Sequence, residues 1–101
     1  MPEVSIDALQ EAIRHTHGCE SRFVETVPVT ERFQGQTVWE GKVQVFDLIA
    51  HPTATRCYAW SYLIGDTERR RIVAVLHEGP VDSAQAAVRA AIIAENRDQP
   101  D

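Results

Sequence analysis

The chain has 101 residues, 44% of them hydrophobic and 25% charged, with a net charge of −5. That length fits one domain, and a chain of this size buries roughly 60–70% of its unfolded surface, enough for one core without metal or disulfide staples. The acidic balance disfavours nucleic acid and anionic membrane as partners, and no apolar run approaches the ~18–20 residues of a membrane span.

The start, Met1-Pro2-Glu3-Val4-Ser5, lacks a basic region and an apolar leader, so a cytoplasmic location is expected. Residues 1–4 and 97–101 read as loose ends of a single domain over 1–101. A first helix is expected from Ile6 to His15 or His17. Ser5 is placed to cap it, Asp7 meets the positive end of its dipole, and Gly18 stops it. Ile6, Leu9 and Ile13 form its apolar stripe.

A strand follows over Ser21–Arg32, with Phe23, Val27 and Val29 read on one face, interrupted by Glu25 and Glu31. Pro28 cannot donate to a ladder, which places this strand at an edge or a bulge. Gln34-Gly35 is the hairpin turn. The return strand over Thr37–Ile49 alternates with Trp39, Val43 and Val45 on one face. Phe46 and Leu48 then switch the apolar side, which predicts a bulge or strong twist near Val45–Asp47. Gly41 lets a bulky neighbour approach the backbone.

After the loop His51–Thr55, the segment Arg56–Ile64 puts Tyr58, Trp60 and Tyr62 on one face and the small Cys57, Ala59 and Ser61 on the other. Gly65–Glu68 is a turn. Ile72–Leu76 is apolar on both faces, so this fourth strand is expected to be central or well covered. In the last helix Asp82 reads as the N-cap, Gln85 completes a capping box, and Val81 supplies a hydrophobic staple. Ala84, Ala87, Val88, Ala91 and Ile92 form its buried stripe.

The expected fold is α+β: a four-stranded antiparallel meander with one helix before and one after it (α-β-β-β-β-α), in two layers with both helices on one face. The order is similar in outline to double-stranded-RNA-binding domains. Their basic loop and basic helix start are missing here, so no function is carried over.

Several constellations have the residue types of chemistry. His15, His17 and Cys19 form an H-x-H-x-C string, but alternate residues at a helix end point apart. Cys19 stands near histidines, yet nothing supplies an oxyanion site. Arg69, Arg70 and Arg71 beside Asp66 and Glu68 read as local charge pairing at a hairpin tip. No metal and no cofactor are expected, and the two cysteines read as free thiols.

Tyr58, Trp60 and Tyr62 remain, with Trp39. A single layer of helices would leave one sheet face open, and a monomer rarely exposes a large apolar patch. The first expectation is therefore a non-catalytic module that forms a homodimer through its aromatic face. The second is a small-molecule-binding protein or small enzyme. Its aromatic-lined cleft would have Trp39 or Trp60 in the wall and Glu25, His51, Arg56 and His77 orienting the ligand. The third is single-stranded nucleic acid stacked on the aromatic row, which the net charge opposes.

Overall fold

The computed structural model describes residues 5–63 and 70–98, and the side chains among them except those of 63, 70 and 95–98. The elements are α1 (Ile6–His17), β1 (Glu20–Phe33), β2 (Gln36–Ile49), β3 (Arg56–Leu63), β4 (Arg70–Leu76) and α2 (Ala84–Asp98). The strands form one antiparallel sheet in the order β1-β2-β3-β4. This is the expected α-β-β-β-β-α meander. Arg97 and Asp98, read as loose, belong to α2. The other expected loose ends (1–4, 99–101) and the turn Gly65–Glu68 lie outside the described residues.

Local chemistry accounts for the boundaries. The Ser5 hydroxyl accepts from the Ala8 N–H at 3.1 Å, and Gly18, at φ 71°, donates to the Arg14 carbonyl at 2.8 Å. Gln34 and Gly35 both have positive φ, 53° and 80°, as a two-residue hairpin turn of the right hand requires. The Trp39 ring lies across Gly41, where a Cβ would stand only 2.9 Å from it.

The layering differs from the two-layer sandwich. One core cluster joins α2 (Ala84, Ala87, Val88) to Val29, Val43, Val45, Tyr58 and Trp60. A second joins α1 (Leu9, Ile13) to Phe46, Cys57 and Ala59. Tyr58 and Cys57 are neighbours in one strand and point to opposite faces. The helices therefore cover opposite faces, and the sheet lies between them. The physical reason is that both faces of β2 and β3 carry apolar side chains, and each needs its own cover.

The same arrangement explains the switch in β2. Val45 and Phe46 are adjacent and both buried, one under each helix. The expected bulge in β2 is absent there. The irregularity sits across the ladder in β1, where Phe23 pairs with Phe46 and Glu25 with Val45, leaving Val24 as the extra residue. That bulge turns Phe23 to the α1 side, edge-on to Phe46 with centroids 5.9 Å apart. Glu25, Val27, Val29 and Glu31 stay on the α2 side.

β1 is an edge strand, as Pro28 requires. β4 is also an edge; of the two alternatives expected for it, central or well covered, the structure shows cover, with Val73 and Val75 packed on the α2 side and Ile72, Ala74 and Leu76 on the α1 side, each half-buried.

Candidate functional site

The aromatic row is core. Tyr58 is 4% and Trp60 3% exposed, both beneath α2. Trp39 and Trp60 meet edge-to-face at 6.0 Å, and the half-buried Tyr62 packs against the same cluster. This row therefore presents no open aromatic face to a second copy or to stacked bases. Alanines on α2 let the helix lie close over bulky rings, which is why a row of this size fits inside one chain.

Among the described residues a cleft of about 320 Å³ lies beside that core. Glu25, Val27, Pro28 and Val29 of β1 form one wall, with Val45 of β2. Arg56 and Tyr58 at the start of β3 form its floor, and Asp82–Gln85 at the start of α2 close the far side. Neither tryptophan lines it, in contrast to the expected wall. Two of the four expected ligand-orienting residues, Glu25 and Arg56, do converge there, joined by Tyr58 of the aromatic row, whereas His51 and His77 do not.

Asp82 lines the cleft because it is not the cap. Ser83 caps α2: its hydroxyl accepts from Ala86 N–H at 3.1 Å and its carbonyl from Ala87 N–H at 2.9 Å. Gln85 is likewise diverted from a capping box and crosses to β1, donating to the Thr30 carbonyl at 3.0 Å and to the Glu31 carboxylate. Val81 is buried in the α2 cluster, but with Ser83 as the cap it stands two residues before the cap and not at the staple position immediately before it.

The electrostatics of the cleft are mixed. Arg56 reaches Asp47 at 3.4 Å, and both are part-exposed. The Tyr58 hydroxyl and His77 Nδ1 stand 2.7 Å apart and share one hydrogen bond. Burial raises the Tyr58 phenol above its ordinary value, with Arg56 opposing and Asp82 assisting, so the phenol is neutral at physiological pH. Glu25 and Asp82 are exposed. The two carboxylates together outweigh Arg56, whose charge Asp47 already partly meets.

His51 plays a different part from the one expected. Its Nδ1 accepts from the Thr53 and Ala54 N–H groups at 3.2 and 3.0 Å, so the ring proton sits on Nε2 and the side chain shapes the β2–β3 loop. Thr53 in turn donates to Glu78 at 2.5 Å, tying this loop to the one before α2. His77 supports Tyr58 and does not line the cleft.

The remaining constellations are structural. His17 Nε2 donates to the Ala74 carbonyl at 3.1 Å, and His15 is exposed. Among the described residues no cluster of three His, Cys, Asp or Glu side chains is placed to hold a metal ion. Cys19 and Cys57 are free thiols. Burial, with a smaller push from Cys19, drives the Cys57 thiol up to about 12, which leaves it protonated and unreactive. Glu31 is the buried carboxylate of the α2 side, held by Arg89 Nε at 2.8 Å. Arg71 is exposed, and Arg69 lies outside the described residues.

The residues that sequence reasoning missed are Asp82 and Ser83. The signal was the doublet itself: either can cap, and when the second does so the first is left free at the rim.

No family model, no curated protein and no solved structure matches this chain. Among the described residues no helix is long and apolar enough to cross a membrane.

Proposed function

We propose that the protein is a binding module for a small organic cation, an amine with an apolar arm, and that the cleft between β1, β3 and the first turn of α2 is its ligand site. The observation that supports this reading is the convergence of Glu25, Arg56, Tyr58 and Asp82 beside an apolar wall of Val27, Val29 and Val45. The volume falls at the lower end of the ~300–1,000 Å³ of small-molecule sites, and an apolar lining with a few polar groups is their usual composition. The excess of carboxylate at the rim favours a positive ligand group. Binding fits better than turnover: the buried polar group among the residues lining the cleft, Tyr58, is a neutral phenol already hydrogen-bonded to His77.

A panel of small amines, carboxylates and neutral compounds, followed by ¹⁵N–¹H spectra, tests the proposal. An amine should shift the amides of Val27, Val29, Tyr58 and Gln85 together, and Glu25→Gln should weaken it several-fold without changing the fold. If no compound moves these amides at millimolar concentration, the cleft is not a ligand site; if only carboxylates do, the charge assignment is wrong.

A further inference from the structure

The two edges of the sheet are unlike. β1 carries Arg22, Glu25, Glu31 and Arg32, the bulge at Val24, and Pro28. Charge, bulge and proline each discourage the addition of another strand. β4 has none of these over Ile72–Leu76, and both of its faces are apolar.

The phase of the β3–β4 ladder shows which backbone groups β4 leaves free. His77 N–H donates to the Arg56 carbonyl at 2.9 Å, and continuing the register makes Tyr58–Val75 and Trp60–Val73 the hydrogen-bonded pairs. The N–H and C=O groups of Ile72, Ala74 and Leu76 therefore point away from β3. Leu76 C=O accepts from Glu78 N–H at 3.0 Å. Ala74 C=O accepts from His17 Nε2, which reaches over from the last turn of α1. Among the described residues nothing pairs with the outward groups of Ile72 or with the Ala74 N–H.

We propose that the free edge of β4 docks a second copy of this chain, strand to antiparallel strand, and that His17 is the latch that must leave before it does. A two-fold axis at Val73 sets Ile72 of each copy against Ala74 of the other, and those residues then exchange four backbone hydrogen bonds. The pairing is self-complementary: Val73 meets Val73, and the central residues bring no like charges together. Each half-buried face of β4 is extended by a neighbour of the same apolar character. Both Ala74 carbonyls are required, so each copy must release its own His17. This surface is separate from the cleft, and neither depends on the other.

Sedimentation or light scattering over a concentration series reads the latch directly. His17→Ala should bring dimerisation to a concentration roughly tenfold lower or more, because two competing hydrogen bonds are removed per dimer. His17→Gln, whose amide can still donate to Ala74, should remain close to the parent. Ala74→Pro added to His17→Ala removes an N–H that the folded monomer does not use, and should return the protein to monomer. Circular dichroism and amide spectra confirm that each variant is folded. A folded His17→Ala or, should that variant not fold, a His17→Asn (too short to reach Ala74) that associates no more readily than the parent overturns the proposal. So does a dimer that survives Ala74→Pro.

Discussion

The two faces of the sheet solve one packing problem in opposite ways. On the α2 side the sheet supplies the bulk, Tyr58, Trp60, Val43 and Val45, and the helix answers with Ala84, Ala87 and Val88. On the α1 side β3 is small, Cys57 and Ala59, with Phe46 of β2 as the one buried ring of this cluster, and the helix supplies Leu9 and Ile13. Interiors are packed to the density of organic crystals, so large residues on one layer demand small ones on the layer above. The difference teaches that neither helix could cover the other's face. α2 over Cys57 and Ala59 would leave voids, and α1 over Tyr58 and Trp60 would clash.

The largest test of this contrast removes bulk from each side in turn. Trp60→Ala and Phe46→Ala each delete a buried ring, and such truncations cost about 3–5 kcal/mol. The cost depends on how far the surroundings can collapse. Around Trp60 the fully buried helix residues are the short Ala84, Ala87 and Val88, with Ile92 at the margin, and a lost indole leaves the larger void. Around Phe46, the long Leu9 and Ile13 side chains and the half-exposed Phe23 ring can move in. Trp60→Ala should therefore lie near the top of the range and Phe46→Ala nearer the bottom, by urea unfolding midpoints at unchanged slope. Equal costs, or the reverse order, would mean that the two faces collapse alike.

The same contrast explains which parts of the fold were legible in the sequence. Element order and the α1 boundaries were readable, because Ser5, Gly18 and Gln34-Gly35 act through local backbone chemistry. The layering was not read correctly, although its signal was present. Val45 and Phe46 are consecutive and both apolar, and a strand covered on one face only would alternate through that point. The change of side in β2, which by itself predicts a bulge or strong twist, marks the place where cover passes from one helix to the other. In β4 the apolar residues on both faces follow from helices on both sides, the covered alternative and not the central one. The cleft was half legible. Glu25 and Arg56 stood out as polar groups near apolar strands, and Tyr58 as a member of the aromatic row. Asp82 was assigned to capping, because which residue of the Asp82-Ser83 pair caps α2 depends on where Val81 is drawn into the core.

A smaller effect separates the two helix starts. Ser5 caps α1 and Ser83 caps α2, each through its hydroxyl. Loss of such a cap costs about 1 kcal/mol. Ser5→Ala and Ser83→Ala should each lower stability by about that amount, whereas Asp82→Ala should change it little. The Asp82 variant is the sharper measurement, since the Asp82–Gln85 capping box would have made it the more costly of the two. Thermal unfolding of the three variants under one set of conditions decides the assignment.

The smallest effect is electrostatic, and it again pairs the two sides. Among the described residues each helix is tied to β1 by one ion pair, Arg14–Glu20 at 2.7 Å on the α1 side and Arg89–Glu31 at 2.8 Å on the α2 side. Each arginine holds its glutamate below the ordinary carboxylate range, chiefly by hydrogen bonding, and Gln85 assists at Glu31. A carboxylate with a depressed folded value binds protons more readily when the chain is unfolded. Its contribution is therefore complete above the unfolded value of about 4.3 and is lost as pH falls through the lower folded value. Stability should be flat in these two groups from neutrality to about pH 5 and should decline below about pH 4. Glu31→Gln and Glu20→Gln should each make that acid decline shallower while leaving the slope near neutrality unchanged. Glu20 is well exposed and its pair is screened by solvent, whereas Glu31 is almost covered by α2. Added salt should consequently erase the Glu20 contribution first, and an acid decline that salt weakens equally in both variants would show that α2 shields Glu31 no better than solvent shields Glu20.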